Sequence, residues 1–350
     1  MGAATIAFED PIFPELVLSS RALAMGNAYL ARVDDASAAF YNPAGLGSVR
    51  EPRLSLSNFM VEANRDWFSI EGQNRSSGFF KRAKEGFKVD GIRQLLLSNP
   101  GKRMHQRFQV MPNATIRYFT FGYFISNVVW GAVTWDRAGP YYFATRRDHG
   151  PYMAANLSLA GGIFKVGVSL LYLIRREAMG AIDPNTEVDI DAYYASGKSF
   201  VLNGGFRLTL PIDWLPTLAL AWHNMGGTKF KQDGAVYLRT IRETIDVGLG
   251  LTPLLSHETR LHLEVNYKDV RPQYKDVKSH RRLLVGAEFD IHRVLYLRAG
   301  YGDGYISGGF GLRSESMTFD LTAYQVNTTF NGSYDGPKDK RVALGASWNP

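Results

Sequence analysis

Thr259-Arg260-Leu261-His262-Leu263-Glu264-Val265-Asn266-Tyr267-Lys268 is a stretch with two unlike sides. Successive side chains of an extended strand point to opposite faces, so Leu261, Leu263, Val265 and Tyr267 share one face. Arg260, His262, Glu264, Asn266 and Lys268 share the other. An apolar face turned to lipid and a polar face turned to a lumen is the pattern of a membrane barrel strand.

The pattern recurs on both sides of this stretch. Ile245, Val247, Leu249 and Leu251 oppose Asp246, Gly248 and Gly250, and Met317, Phe319, Leu321 and Ala323 oppose Thr318, Asp320 and Thr322. Val342, Leu344, Ala346 and Trp348 close the series against Arg341, Ala343, Gly345, Ser347 and Asn349. Marking every such segment yields fourteen, from 52–63 to 339–349 and including 150–161, 163–177 and 199–210. An even count suits a closed bacterial barrel. Links after odd-numbered segments are long (64–103, 135–149, 178–198, 225–240, 269–279 and 327–338) except at Gly302-Asp303, and those after even-numbered segments are short or, at 211–214 and 253–256, moderate. Long external loops alternating with short periplasmic turns produce that rhythm and put both chain ends on the periplasmic side.

Composition agrees with many short strands. The 350 residues include 35 glycines and 13% aromatics, and their net charge is +7. No run of 18 apolar residues occurs; the longest candidate, 157–174, is broken by Gly161, Gly162, Lys165 and Gly167. A membrane-spanning helix is therefore excluded, whereas a barrel, whose strands cross in about 10 residues, is not. Zero cysteines exclude a disulfide scaffold, a thiolate nucleophile and a Cys-ligated metal. Lys and Arg are spread among acids, which argues against nucleic acid and suits a cationic rim near lipopolysaccharide phosphates. Met1-Gly2-Ala3-Ala4 lacks the basic and apolar regions of a signal peptide, so for an exported protein the expectation is a mature sequence behind a remodelled start.

The expected fold is thus all-β: a 14-stranded antiparallel transmembrane β-barrel over 51–350, with residues 1–50 as an N-terminal hatch that fills the lumen. Aromatics are expected in girdles, Trp130, Trp135, Tyr141, Tyr142 and Phe143 at one rim and Tyr118, Phe119, Phe121 and Trp214 at the other. Arg207, Asp246, His262, Glu264, Glu288 and Arg298 fall on polar faces and are expected to form a lumen network. His262 and Glu264 could also be an acid–base couple, but no Ser stands at matching spacing on their strand, and a structural role is favoured. The other histidines lack metal-ligand spacing, and the Gly-rich runs 300–304 and 308–311 lack the strand-to-helix context of a phosphate loop. Neither a catalytic residue, a metal nor a cofactor is implied.

An external loop at about 76–103 holds an amphipathic pattern. Phe80, Ala83, Phe87, Ile92, Leu95 and Leu96 form its apolar set and Lys81, Arg82, Lys84, Lys88 and Arg93 its polar one. Such a helix could be a lid over the lumen mouth, a contact for lipid headgroups, or an ordinary loop helix.

Ser20-Arg21-Ala22-Leu23-Ala24-Met25-Gly26-Asn27-Ala28, followed by Asp34-Asp35-Ala36-Ser37-Ala38-Ala39-Phe40-Tyr41-Asn42-Pro43-Ala44-Gly45-Leu46, resembles the FadL and PorV superfamily of outer-membrane proteins. The resemblance implies a 14-stranded barrel whose hatch carries the motif Asn42, Pro43, Ala44 and Gly45, in a structural role more than as a ligand contact. For a transporter of that kind it implies passive uptake of long-chain fatty acids or other hydrophobic molecules. The wording D-D-A-S-A-x-x-Y-N-P-A-G looks closer to the PorV-like branch, which implies instead a partner for a secreted protein or an envelope complex.

Overall fold

The computed structural model describes residues 12–70, 85–133, 139–232, 238–329 and 335–349. Its strands form one antiparallel sheet in which each pairs with its sequence neighbour and the last pairs with the first, so the sheet closes.

Fourteen strands make the ring. In chain order they are β1 (Arg53–Ser55 continued by Ser57–Asn64), β2 (Arg103–Val110 continued by Asn113–Ile116), β3 (Phe119–Ala132), β4 (Tyr141–Leu159) and β5 (Phe164–Ile182). Then follow β6 (Tyr194–Thr209), β7 (Thr217–His223), β8 (Thr244–Leu251), β9 (Thr259–Tyr267) and β10 (Leu283–Ile291). The last are β11 (Leu295–Gly302), β12 (Tyr305–Arg313), β13 (Met317–Asn327) and β14 (Lys338–Trp348). The break in β2 falls at Met111-Pro112, where proline has no N–H to give to the ladder. The Pro112 carbonyl still accepts from Tyr123 N–H at 3.0 Å.

The two-faced reading of 259–268 holds. His262, Glu264 and Asn266 are buried while Leu263 and Val265 are 39% and 44% exposed, so the polar side faces in and the apolar side faces out. Val166, Leu170, Phe200 and Leu297 are exposed in the same sense on other strands. Lipid contact, not a water-excluding core, accounts for such a surface. Among the described residues no helix is long and apolar enough to cross a membrane.

Two expectations need correction. The stretch 141–149, read as loop, is strand, because β4 and β5 run 19 residues each and rise past the rest of the wall. The girdle at the long-loop end is also different: Tyr141 and Phe143 are fully buried and Trp130 packs with Ala144, Tyr142 and Met179. Trp135 lies outside the described residues. At the short-turn end Tyr118, Phe119, Phe121 and Trp214 are exposed, as a girdle requires.

What covers Tyr141 and Phe143 is the long loop after β1. The helix Val89–Leu97 buries Val89, Ile92 and Leu96 with Trp67 and Ile70 against Ala63, Met104, Val129 and Val133, the outward positions of β1 to β3. It lies against the outer side of the wall and not over the lumen mouth. Tyr141 Oη donates to the Val89 carbonyl at 2.7 Å, and Arg93 donates to the Pro184 carbonyl at 2.8 Å. Phe80, Lys81, Arg82, Ala83 and Lys84 lie outside the described residues.

Candidate functional site: the lumen and the segment that fills it

Residues 12–49 are almost entirely buried and contain two short helices, Ser20–Ala24 and Ala38–Tyr41. Their neighbours are inward residues from all round the ring. Met25, Tyr29, Phe40, Tyr41 and Leu46 pack with Phe124, Tyr152, Leu171 and Val201, while Ile12, Leu18 and Leu23 pack with Met60, Leu284, Tyr324 and Ala343. Phe40 meets Phe124 edge-on at 5.5 Å between ring centres. The main apolar core of this protein is thus this segment against the inner wall, the arrangement that frees the outer wall for lipid.

Close approach is set by glycine. Gly26 has φ +63, and a Cβ there would lie 2.4 Å from the Tyr301 carbonyl oxygen. On the wall opposite, a Cβ on Gly300 would lie 2.1 Å from the Met25 carbonyl carbon. Backbone therefore rests on backbone, which only residues without a side chain permit.

The motif at 42–45 is built the same way. Asn42 Oδ1 accepts from Ala44 N–H at 3.1 Å and caps the 3-10 helix Pro43–Ser48, while its Nδ2 donates to the Leu30 carbonyl at 3.1 Å. Pro43 stands at the first helical position, where a missing N–H costs nothing. Pro43 and Ala44 lie on Gly167 and Gly205 of β5 and β6, and Gly45 lies against the Val33 carbonyl. Asn156 of β4 donates to the Ala44 carbonyl at 3.1 Å.

All six residues expected in a lumen network are buried and inward, but they form several contacts instead of one network. Glu288 and Arg298 do come together at 2.7 Å, and Arg21 joins them with two contacts of 2.6 Å to Glu288. Arg298 continues to Asp320 at 2.5 Å. Asp246 belongs to a second cluster with Lys268 at 3.4 Å and His223 at 3.3 Å, and Lys268 also pairs with Glu15. Glu264 accepts from Ala31 N–H at 2.8 Å, and Arg207 donates to the Leu30 and Val33 carbonyls at 3.1 and 2.9 Å. Among the described residues His262 reaches only Thr252, 3.0 Å from its hydroxyl. Arg21, Glu15 and Lys268 were missed as members, although Arg21 stands in the quoted motif and Lys268 on the polar face of 259–268.

Charge on the segment is held firmly. Burial pulls the Arg21 guanidinium down, but Glu288, Tyr29 and Asp34 outweigh it and hold Arg21 well above its ordinary value. Burial pushes the Asp34 carboxyl up, and Arg32 and Arg21 reverse this and hold it well below the usual carboxylate range.

Free space is unevenly shared. Two cavities of about 90 and 120 Å3 lie beside the segment, the second between Leu18, Arg21 and Asp34 on one side and Phe59, Met60 and Gln109 on the other. A much larger cavity of about 730 Å3 lies at the short-turn end and is lined by His262, Arg207 and several further cations.

The chain superposes on solved channels and transporters. The toluene transporter TbuX of Ralstonia pickettii superposes with a TM-score of 0.55 over 97% of this chain and 99% of its own, at 12% identity. The fold is that of this transporter. The toluene transporter TodX of Pseudomonas putida shares it at TM-score 0.53 and 10% identity over 95% of this chain and 97% of its own. CymD, a monoaromatic hydrocarbon channel, gives TM-score 0.53 and 11% identity over 94% and 96%. No protein-family model and no curated protein matches the sequence. The closed ring with its apolar outer face points to a bacterial outer membrane, since only a closed barrel satisfies every strand hydrogen bond within lipid.

Proposed function

We propose that this chain is a passive outer-membrane transport protein for hydrophobic molecules, with residues 1–50 as a hatch and 51–350 as the barrel. The carrying observation is the segment 12–49 wedged between inward residues on opposite sides of a closed ring. A lumen so filled passes a solute only if segment or wall moves. Asn42, Pro43, Ala44 and Gly45 then act as the anchor of the hatch, and the ion pairs of Arg21 with Glu288 and of Glu15 with Lys268 as its latch. The cavity of about 120 Å3 is smaller than the roughly 150 Å3 of a cavity that holds benzene, so this closed state has no room for a long acyl chain.

Purified protein in proteoliposomes tests this. Uptake of radiolabelled toluene and of oleate is measured against protein-free vesicles. Faster uptake of either supports transport, and neither above background removes the reading.

A second reading is favoured by one observation, the number of ion pairs that lock the segment to the wall. A barrel that never opens would serve as a membrane anchor, with the packed helix Val89–Leu97 and the tall β4 to β6 wall offered to a secreted or envelope protein. Crosslinking in cells would then recover a stoichiometric protein partner. Lipid and lipopolysaccharide surround the barrel in either case.

A further inference from the structure

The cavity at the short-turn end differs from the rest of the lumen in its charge. Arg50, Arg53, Lys165, Arg207, Arg260 and Arg293 line it, and among the described residues none of the six is ion-paired with a carboxylate. Higher in the lumen, by contrast, Arg21, Lys268, Arg298 and Arg341 each have an acidic partner.

Two of the six converge on a single neutral group. Lys165 Nζ and Arg207 Nη1 lie 2.8 and 3.0 Å from Ser48 Oγ. Arg207 is only 3% exposed, and among the described residues its Nε has no hydrogen-bond partner. Nε2 of the buried His262, on the same wall, also lacks one. Burial, followed by the positive charges of Arg293, Arg260 and Arg32, pushes the Arg50 guanidinium below its ordinary value. The acids present do not cancel this. Eight arginines and lysines line the cavity against four acids, of which Asp34 is taken by Arg21 and Arg32, Asp290 Oδ1 accepts the backbone N–H of Arg293 at 2.9 Å, and Glu51 and Glu315 are exposed at the edge.

Cations gathered in a half-enclosed space repel one another, and a buried N–H without an acceptor is costly. A multivalent oxyanion answers both at once, since its oxygens accept charge-assisted hydrogen bonds from guanidinium forks. We propose that this chamber binds a small molecule bearing two or more phosphate or carboxylate groups, reached from the short-turn side. Its size and its position inside the ring suit a solute or a lipid headgroup, not a macromolecule. The site stands whether or not the barrel transports hydrophobic compounds.

The test is calorimetric titration of the full chain in nonionic detergent at low ionic strength with inorganic pyrophosphate. One saturable site per chain is expected. The double variant Arg260→Gln/Arg293→Gln weakens it at least tenfold, and Arg260→Lys/Arg293→Lys restores part of the loss. Neither side chain makes a hydrogen bond or ion pair among the described residues, so the fold should survive; circular dichroism checks it. Arg176→Gln, at an exposed pair with Asp191 towards the long-loop end, leaves binding unchanged. Repeating the titration with cardiolipin, which carries two phosphates, in the micelles separates the sources: competition assigns a lipid headgroup, and its absence a soluble anion. No saturable binding, or equal binding in wild type and the double glutamine variant, overturns the proposal.

Discussion

Arg21 grips Glu288 with two parallel contacts, Nε to Oε2 and Nη2 to Oε1, each of 2.6 Å, although 267 positions of sequence separate them. A fork-to-fork pair of this kind fixes direction as well as distance, so the helix Ser20–Ala24 can sit only one way against β10. Arg298 and Arg32 also face the same carboxylate, at 2.7 and 3.4 Å. Arg21→Met should cost about 3 kcal/mol, because it leaves the buried Glu288 short of one of its positive partners. Urea unfolding in micelles measures it. Arg21→Met combined with Glu288→Gln should recover part of the loss, and a single-variant loss below about 1 kcal/mol would show that the segment is held elsewhere.

Backbone contact makes a separate demand. Gly300→Ala places a methyl group 2.1 Å from the Met25 carbonyl carbon, and neither main chain can yield as a side chain would. We expect overpacking to cost about 1–3 kcal/mol and to loosen residues 12–49, read as faster limited proteolysis within that segment. Gly308→Ala, on the next strand, where the added methyl group would come no closer than 3.4 Å to a neighbour, serves as the control. Equal cleavage of the two variants would contradict the close fit.

How much of this was legible depends on whether one strand or two distant segments carried the information. The faces of β9 were legible because period two is a local property and lipid on one side leaves it intact. In 141–149 the alternation is lost: Val89, Ile92 and Leu96 cover Tyr141 and Phe143 from outside, while Asp148 meets Arg175 at 2.6 Å from within. A strand buried on both faces reads as neither pattern. The helix Val89–Leu97 was legible as amphipathic, but a hydrophobic stripe does not say which surface it meets. The partners of Glu288 and Lys268 were not legible, since Arg21 and Glu15 lie more than 250 positions away.

The outer wall predicts a depth-dependent cost of charge. Leu263 is at the middle of β9 and points to lipid, so Leu263→Arg should lose about 2–4 kcal/mol. Leu254, 59% exposed in the short turn before β9, should tolerate arginine at about 0–1 kcal/mol, as expected near the interface. Unfolding from lipid vesicles distinguishes the two. Similar losses at both positions would mean that β9 is not aligned across the bilayer as described.

Asp34 should set an acid limit. Its folded-state value lies well below that of an unfolded aspartate, near about 3.9, so its contribution is complete above that value. It is lost as pH falls through the depressed folded value. Urea midpoints of wild type and Asp34→Asn should therefore differ by a constant amount from pH 7 to pH 5 and converge below about pH 4. A gap that instead opened as the pH fell would reverse the assigned direction of the shift.

The helix Val89–Leu97 makes the last prediction, because its place on the outer wall and a place over the lumen give opposite results. Ile92 Cγ2 lies 2.6 Å from where a Cβ on Gly131 would stand, which puts the two β-carbons no more than roughly 4 Å apart, within disulfide reach. The chain has no cysteine, so Ile92→Cys/Gly131→Cys creates a single possible pair. Oxidation should close it nearly completely, as seen by a mobility shift that reductant reverses. A helix that swings over the mouth as a lid would form the bond poorly and, once bonded, would block uptake of the hydrophobic probe. A helix that belongs to the outer wall leaves uptake unchanged when locked, and motion of the segment 12–49 then remains the step that opens the lumen.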